Sequence, residues 1–171
     1  MKKNIISTVI AAALCAATGS AIAAPVVTDS ATVTTAVRSV SSATVSVTPV
    51  DGSVTTDEVK QAGTKVAAVT LDASGLYDGP TGANISLSVG KSNYNADTQK
   101  WNFISADGSQ RFSVLPVVPS GWNFNGDSIS KRINGETELA SLNIDFETVA
   151  GNGNVQPGNY SMPVEMTFGV W

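Results

Sequence analysis

The chain is predicted to be all-β, on three observations. Apolar and polar residues alternate with a period of two along most of the sequence, no window carries an apolar stripe at helical spacing, and turn residues recur between the alternating runs. Composition agrees: charged residues make up only 14% of the 171, well below the roughly 25% of an ordinary soluble domain, while Ser, Thr, Val, Ala, Gly and Asn abound.

In chain order, Lys2 and Lys3 precede an apolar run from Ile5 to Cys15, and Ala21-Ile22-Ala23 supplies small residues around a cleavage point. This is the pattern of a secretory signal, residues 1–23. The apolar run falls short of the roughly 20 residues that span a bilayer, and Leu14 stands before Cys15 where a lipoprotein signal needs a small residue. Removal of 23 of the 171 residues leaves 148, enough for one domain with its own core. The mature chain has no cysteine, so packing and strand pairing must hold it.

Over Ala24 to Arg38, Val27, Ala31, Val33, Thr35 and Val37 share one face of an alternating stretch. The stretch reads either as an ordinary first strand or as a detachable strand that completes another molecule's sheet. In the second case main-chain hydrogen bonds give affinity and alternate side chains give register. Each buried Val would contribute about 1.5–3 kcal/mol.

Ala43, Val45, Val47 and Pro49 form the next alternating face, and the proline marks an edge or an end. Asp51-Gly52 turns the chain. Val54 to Thr64 suggests a short helix capped by Thr56 and closed by Gly63. Ala67, Val69 and Leu71 share the face of a buried strand; Asp78-Gly79-Pro80 is a loop before Ile85, Leu87 and Val89. Trp101 and Phe103 face one way, and Asp107-Gly108, both tolerant of positive φ, joins their strand to the run from Phe112 to Val118. After the loop from Gly121 to Asp127, Ile129 to Ile133 forms a short strand and Asn134-Gly135 a turn. Ala140, Leu142, Ile144 and Phe146 share a face. The last strand alternates Tyr160, Met162, Val164, Met166, Phe168 and Val170 without a break. Short strands between turns in one domain predict a β-sandwich, with a small barrel as the alternative.

Charge and inventory exclude several functions. Loss of Lys2 and Lys3 leaves 8 basic against 14 acidic residues, which gives no electrostatic reason to bind nucleic acid. With no His and no mature Cys, neither the usual triads nor a zinc site of N and S ligands can be assembled. Ser128-Ile129-Ser130-Lys131 matches Ser-x-x-Lys but lacks that motif's companions. The carboxylate pairs Asp145/Glu147 and Glu136/Glu138 read as solvated faces or turns rather than a glycosidase pair. The loop from Gly121 to Asp127 has no EF-hand spacing.

The order of signal, alternating extension, cysteine-free sandwich and terminal alternating strand resembles the chaperone/usher pilins. Gly158-Asn159-Tyr160-Ser161-Met162-Pro163-Val164-Glu165-Met166-Thr167-Phe168 is similar to the pilin segment that pairs with a periplasmic chaperone, with Gly158 at its start. Val170 holds the penultimate place, where many pilins have an aromatic; here the aromatic is Trp171. Lys65–Leu71, Asn102–Gly108, Ile133–Glu136 and Gln156–Tyr160 look most similar to the capsule-forming and thin-fimbria pilins of the FGL chaperone class. The cysteine-free colonisation-factor pilins of the alternate branch share the late Gly-Asn-Tyr.

The resemblance implies an incomplete immunoglobulin-like sandwich over residues 40–171, completed by donor-strand exchange through the extension at 24–39. It implies a non-enzymatic subunit of a surface fimbria or capsule-like fibre, without cofactor, whose partners are a periplasmic chaperone, an outer-membrane usher and copies of itself. Val27, Ala31, Val33, Thr35 and Val37 map to the donor. Gly158, Tyr160, Met162, Val164, Met166, Phe168 and Val170 map to the acceptor and chaperone-pairing strand. The alternative is a single-domain adhesin or a carbohydrate- or receptor-binding module using Trp101, Trp122, Tyr77 or Tyr94. Trp122, between Gly121 and Asn123, is the ring expected to be exposed to a host receptor.

Overall fold

The alternating runs become two facing antiparallel sheets in the computed structural model, which describes residues 43–79 and 81–170. The expected signal and the extension at 24–39 lie outside the described residues, as does Trp171. The larger sheet places β1 (Thr44–Val50) at one side, followed by β2 (Lys65–Ser74), β9 (Glu138–Thr148), β6 (Arg111–Pro116), β5 (Lys100–Ser105) and β10 (Tyr160–Ser161). β4 (Tyr94–Asn95) also pairs with β5. The smaller sheet runs β11 (Val164–Val170), β3 (Ala83–Val89), β8 (Ser128–Ile133) and β7 (Asn123–Phe124). The expected sandwich is found, and the barrel alternative is not.

Leu71, Ile85, Leu87, Trp101, Ile129 and Ile144 are fully buried between the sheets. Strand β3 buries every second residue from Ala83 to Val89, as its sequence requires. Trp101 and Phe103 both face inward, where their rings meet Phe146 at centroid distances of 5.9 and 6.4 Å. The indole nitrogen of Trp101 donates to the Gly126 carbonyl at 2.7 Å, which satisfies its one polar group. Asn93 and Asn102 are buried together: the Asn93 amide donates to the Asn102 carbonyl at 2.8 Å, and the Ser113 hydroxyl to the Asn102 side chain at 2.9 Å.

Local expectations are corrected at three places. The segment after Asp51-Gly52 forms only a 3-10 turn, Glu58–Lys60. Asp57 stands at its N-cap position, and Thr55 rather than Thr56 makes the bonds of a capping-box pattern: the Thr55 N–H donates to the Glu58 carboxylate at 2.6 Å and the Glu58 N–H to the Thr55 hydroxyl at 3.2 Å. The β5–β6 hairpin, by contrast, forms at Asp107-Gly108 as expected: Gly108 has φ +74°, and Asp107 holds the turn through its side chain.

On β9, Ala140 is exposed and Leu139 takes the inward place. A bulge there puts Ser141 at φ +40°, held by its N–H and hydroxyl donating to the Asp72 carboxylate at 2.8 and 3.1 Å. Most consequential, the last strand is broken. Tyr160 and Ser161 pair with β5 in one sheet, whereas Val164 to Val170 pair with β3 in the other. Pro163 sits at the crossing, and its carbonyl accepts from the Gly90 N–H at 3.1 Å. Proline cannot donate to a ladder, so the chain can leave one sheet there without stranding an N–H.

Candidate functional site

Among the described residues, β1 pairs only with β2 and β11 only with β3, so each ends its sheet. The two edges run in opposite directions. Thr44 is opposite Ser74, residues 75–82 lead from Ser74 to Ala83, and Ala83 is opposite Val170, so the start of β1 and the end of β11 share one end of the sandwich. That end is closed by a tight contact: Gly79 has φ +68°, and a Cβ there would fall 2.0 Å from Val170 Cγ1. The Tyr77 ring meets Phe168 edge-on at 5.7 Å.

Side chains along both edges are only partly covered. Val164, Phe168 and Val170 point at the core yet stay half-buried; Met166 alone on β11 is buried. On β1, Val47 is half-buried while Val45 and Val50 are 37% and 43% exposed. At the other end, Asp51 to Thr56 and Val155 to Tyr160 border a cleft of about 440 Å³, whose apolar wall includes Val59, Val66, Phe103 and Phe112. Phe103 stacks on Phe112 at 5.3 Å and Phe112 meets Tyr160 edge-on at 5.3 Å. The Tyr160 hydroxyl donates to the Gln156 carbonyl at 2.7 Å.

The residues singled out in the sequence are thus distributed unevenly. Val164, Met166, Phe168 and Val170 lie together on the inner face of β11. Tyr160 belongs to β10 in the opposite sheet and lines the cleft, and Met162 lies at the crossing, packed on the core. Gly158 is exposed with open space where a Cβ would stand. Val27, Ala31, Val33, Thr35 and Val37 fall outside the described residues.

Trp122 departs from expectation. It is 7% exposed and packs in the core. A turn closed by its N–H onto the Pro119 carbonyl at 3.1 Å carries it there. The exposed apolar side chains of that region are Val117, Val118 and Phe124, the last 36% exposed. The apolar edge of β1 and the cleft were not recognised as site features in the sequence, although the exposure of the Thr48-Pro49-Val50 strand end is consistent with its proline.

Of the carboxylates considered for chemistry, Glu136 and Asp145 are engaged structurally. Glu136 accepts from Lys131 at 2.7 Å and from the Asn134 N–H, and these two donors hold its carboxyl down to about 2. Asp145 pairs with Lys65 at 2.8 Å and accepts from the Asn143 amide at 2.6 Å.

No family model and no curated protein sequence matches the chain. Solved structures do. The chain is similar to the E. coli Hda pilus minor tip subunit HdaB (16% identity, 74% of this chain and 84% of that one, TM-score 0.52). It is similar to the AfaE-3 adhesin from Escherichia coli (15%, 74% and 94%, TM-score 0.52) and to the DraE adhesin solved with chloramphenicol succinate (17%, 76% and 96%, TM-score 0.51). At this identity the likeness establishes the fold: an immunoglobulin-like sandwich of the kind found in fimbrial subunits.

Proposed function

We propose that the chain is a non-enzymatic subunit of a bacterial surface fibre, exported with a cleaved signal and assembled by donor-strand exchange. Its partners are a periplasmic chaperone, an outer-membrane usher and further copies of itself. The observation that carries the reading is the pair of oppositely directed edges, β1 and β11, whose inward or flanking apolar side chains remain partly exposed. A natural sheet edge of this kind invites another strand. The alternating segment from Val27 to Val37 has the length and the small apolar side chains to occupy it. The fold shared with pilus subunits adds support.

Replacing Val33 with Asp tests the register, since it places a carboxylate where an apolar pocket should be. Assembly in the presence of chaperone and usher is expected to fall steeply, while the chaperone-bound subunit still accumulates. Fibres in wild-type yield would reject Val33 as a donor residue.

A second role in adhesion is favoured by the exposed Val117, Val118 and Phe124. Exposed aromatics anchor interfaces, and Phe124 replaces Trp122 as the residue to probe. Phe124→Ala should weaken host-cell attachment without altering fibre length; unchanged attachment would remove this surface from consideration.

A further inference from the structure

Three Asn-Gly pairs occur in the described chain: Asn125-Gly126, Asn134-Gly135 and Asn152-Gly153. In each, the glycine backbone nitrogen can in principle attack the asparagine side-chain carbonyl, because no glycine side chain obstructs the approach. The surroundings of the three differ sharply.

Asn152 is locked. Its side-chain oxygen accepts from the Ser113 N–H at 2.7 Å, and its amide donates to the Ser113 and Val59 carbonyls at 2.9 and 3.2 Å. Asn125 is held at both ends of its peptide unit. Its amide donates to the Ser130 hydroxyl at 2.7 Å, and its backbone N–H donates to the Ser128 carbonyl at 2.8 Å. The following Gly126 accepts from the Trp101 indole, and its Cα lies against the Tyr94 ring, where a Cβ would come within 2.5 Å of the hydroxyl.

Asn134 is different. It is exposed, no hydrogen bond engages its side chain among the described residues, and nothing crowds the Cβ direction of Gly135. Moreover, the N–H of Gly135, the attacking group, already points at a carboxylate: Asp78 Oδ1 and Oδ2 lie 2.8 and 3.1 Å from that nitrogen. A base to take the proton therefore stands at the position the reaction needs.

We propose that Asn134 is a site of spontaneous deamidation, assisted by Asp78. The Gly135 nitrogen bonds to the Asn134 side-chain carbonyl carbon and gives its proton to Asp78. The C–N bond to the side-chain amide breaks, and ammonia leaves with that proton. Water then opens the resulting succinimide at either carbonyl, which yields aspartate or isoaspartate at position 134. The product places a new carboxylate next to Glu136 and Asp78. It lies in the connection from β8 to β9, whose Thr137 carbonyl accepts from Leu76 at 3.0 Å in the neighbouring loop. Old protein would thus carry a modified loop at the end of the sandwich where β11 finishes.

The test is incubation of the folded full chain at mildly alkaline pH, with peptide mapping that resolves aspartate from isoaspartate at each Asn-Gly. Conversion at Asn134 should outrun that at Asn125 and Asn152 severalfold, and the three should converge when the chain is unfolded in urea. Equal rates in the folded protein, or faster conversion at either of the other two, would overturn the site. Asp78→Asn should slow conversion at Asn134 severalfold and leave the other two unchanged, in protein whose melting is checked in parallel. A wild-type rate at Asn134 in that variant would overturn the role of Asp78.

Discussion

Asp107 shows how much of this fold is held by single polar side chains. Though in open solvent, its carboxylate accepts from the Ser105 hydroxyl and from the hydroxyl and N–H of Ser109, and these donors bring its pKa down to about 2. Glu136 is lowered to about 2 by Lys131 and the Asn134 N–H. Both pKa values fall on folding, so the stabilisation is complete above the ordinary carboxylate range and is lost as pH drops through it toward 2. The melting temperature should decline across that window. Asp107→Asn and Glu136→Gln should each flatten part of the decline, and a double variant with the wild-type acid slope would contradict the assignment. Trp101 makes a different contribution, through volume and one hydrogen bond to Gly126. Trp101→Phe is expected to cost about 2–4 kcal/mol in denaturant melts; a loss well under 1 kcal/mol would show that the site repacks freely. The neighbouring case of Trp122 shows why exposure was misjudged from sequence. Flanking Gly and Asn describe a loop, but the turn closed on Pro119 decides which way its ring points.

At the level of elements, faces were legible and connections were not. Period-two alternation correctly put Val164, Met166, Phe168 and Val170 on one side of β11 and Ile85, Leu87 and Val89 on one side of β3. It could not reveal that the chain changes sheets at Pro163, because Met162 and Val164 face the core on both sides of the crossing and the pattern runs on undisturbed. The bulge at Ser141 was hidden for a related reason: Ala140 fits either face by size, and only the long-range bonds that Ser141 donates to Asp72 settle the register. The acceptor face proposed here depends on how β11 is anchored at its far end, where Gly79 and Val170 touch. Gly79→Ala should destabilise by about 1–3 kcal/mol, from positive φ and from the clash together. Adding Val170→Ala should recover only the clash, giving a coupling of about 0.5 kcal/mol or more in a double-mutant cycle. Strict additivity would mean that the two do not meet in solution.

For the molecule as a whole, the decisive property is whether the sandwich is stable by itself. It has no cysteine after the expected signal, so disulfides cannot compensate for missing pairing. Its edges leave Val45, Val50, Phe168 and Val170 partly uncovered. If another strand belongs there, stability must follow mass action: a ligand that binds only the folded form stabilises by RT ln(1 + [L]/Kd), about 2.7 kcal/mol at a hundredfold excess over Kd. A chain lacking residues 24–38 should therefore melt low or aggregate, and should gain stability progressively as a peptide of residues 24–38 is added. A peptide with Val33 replaced by Asp should give a smaller gain at the same concentration, because burying the charge removes much of the binding energy. The alternative, in which residues 24–38 are simply the first strand of a finished domain, predicts that the peptide rejoins its own sandwich but that the intact chain stays monomeric at any concentration. Light scattering on the intact, chaperone-free protein separates the two. Growth of polymers with concentration and time supports exchange between copies, and a stable monomer with a sharp, reversible melt contradicts it.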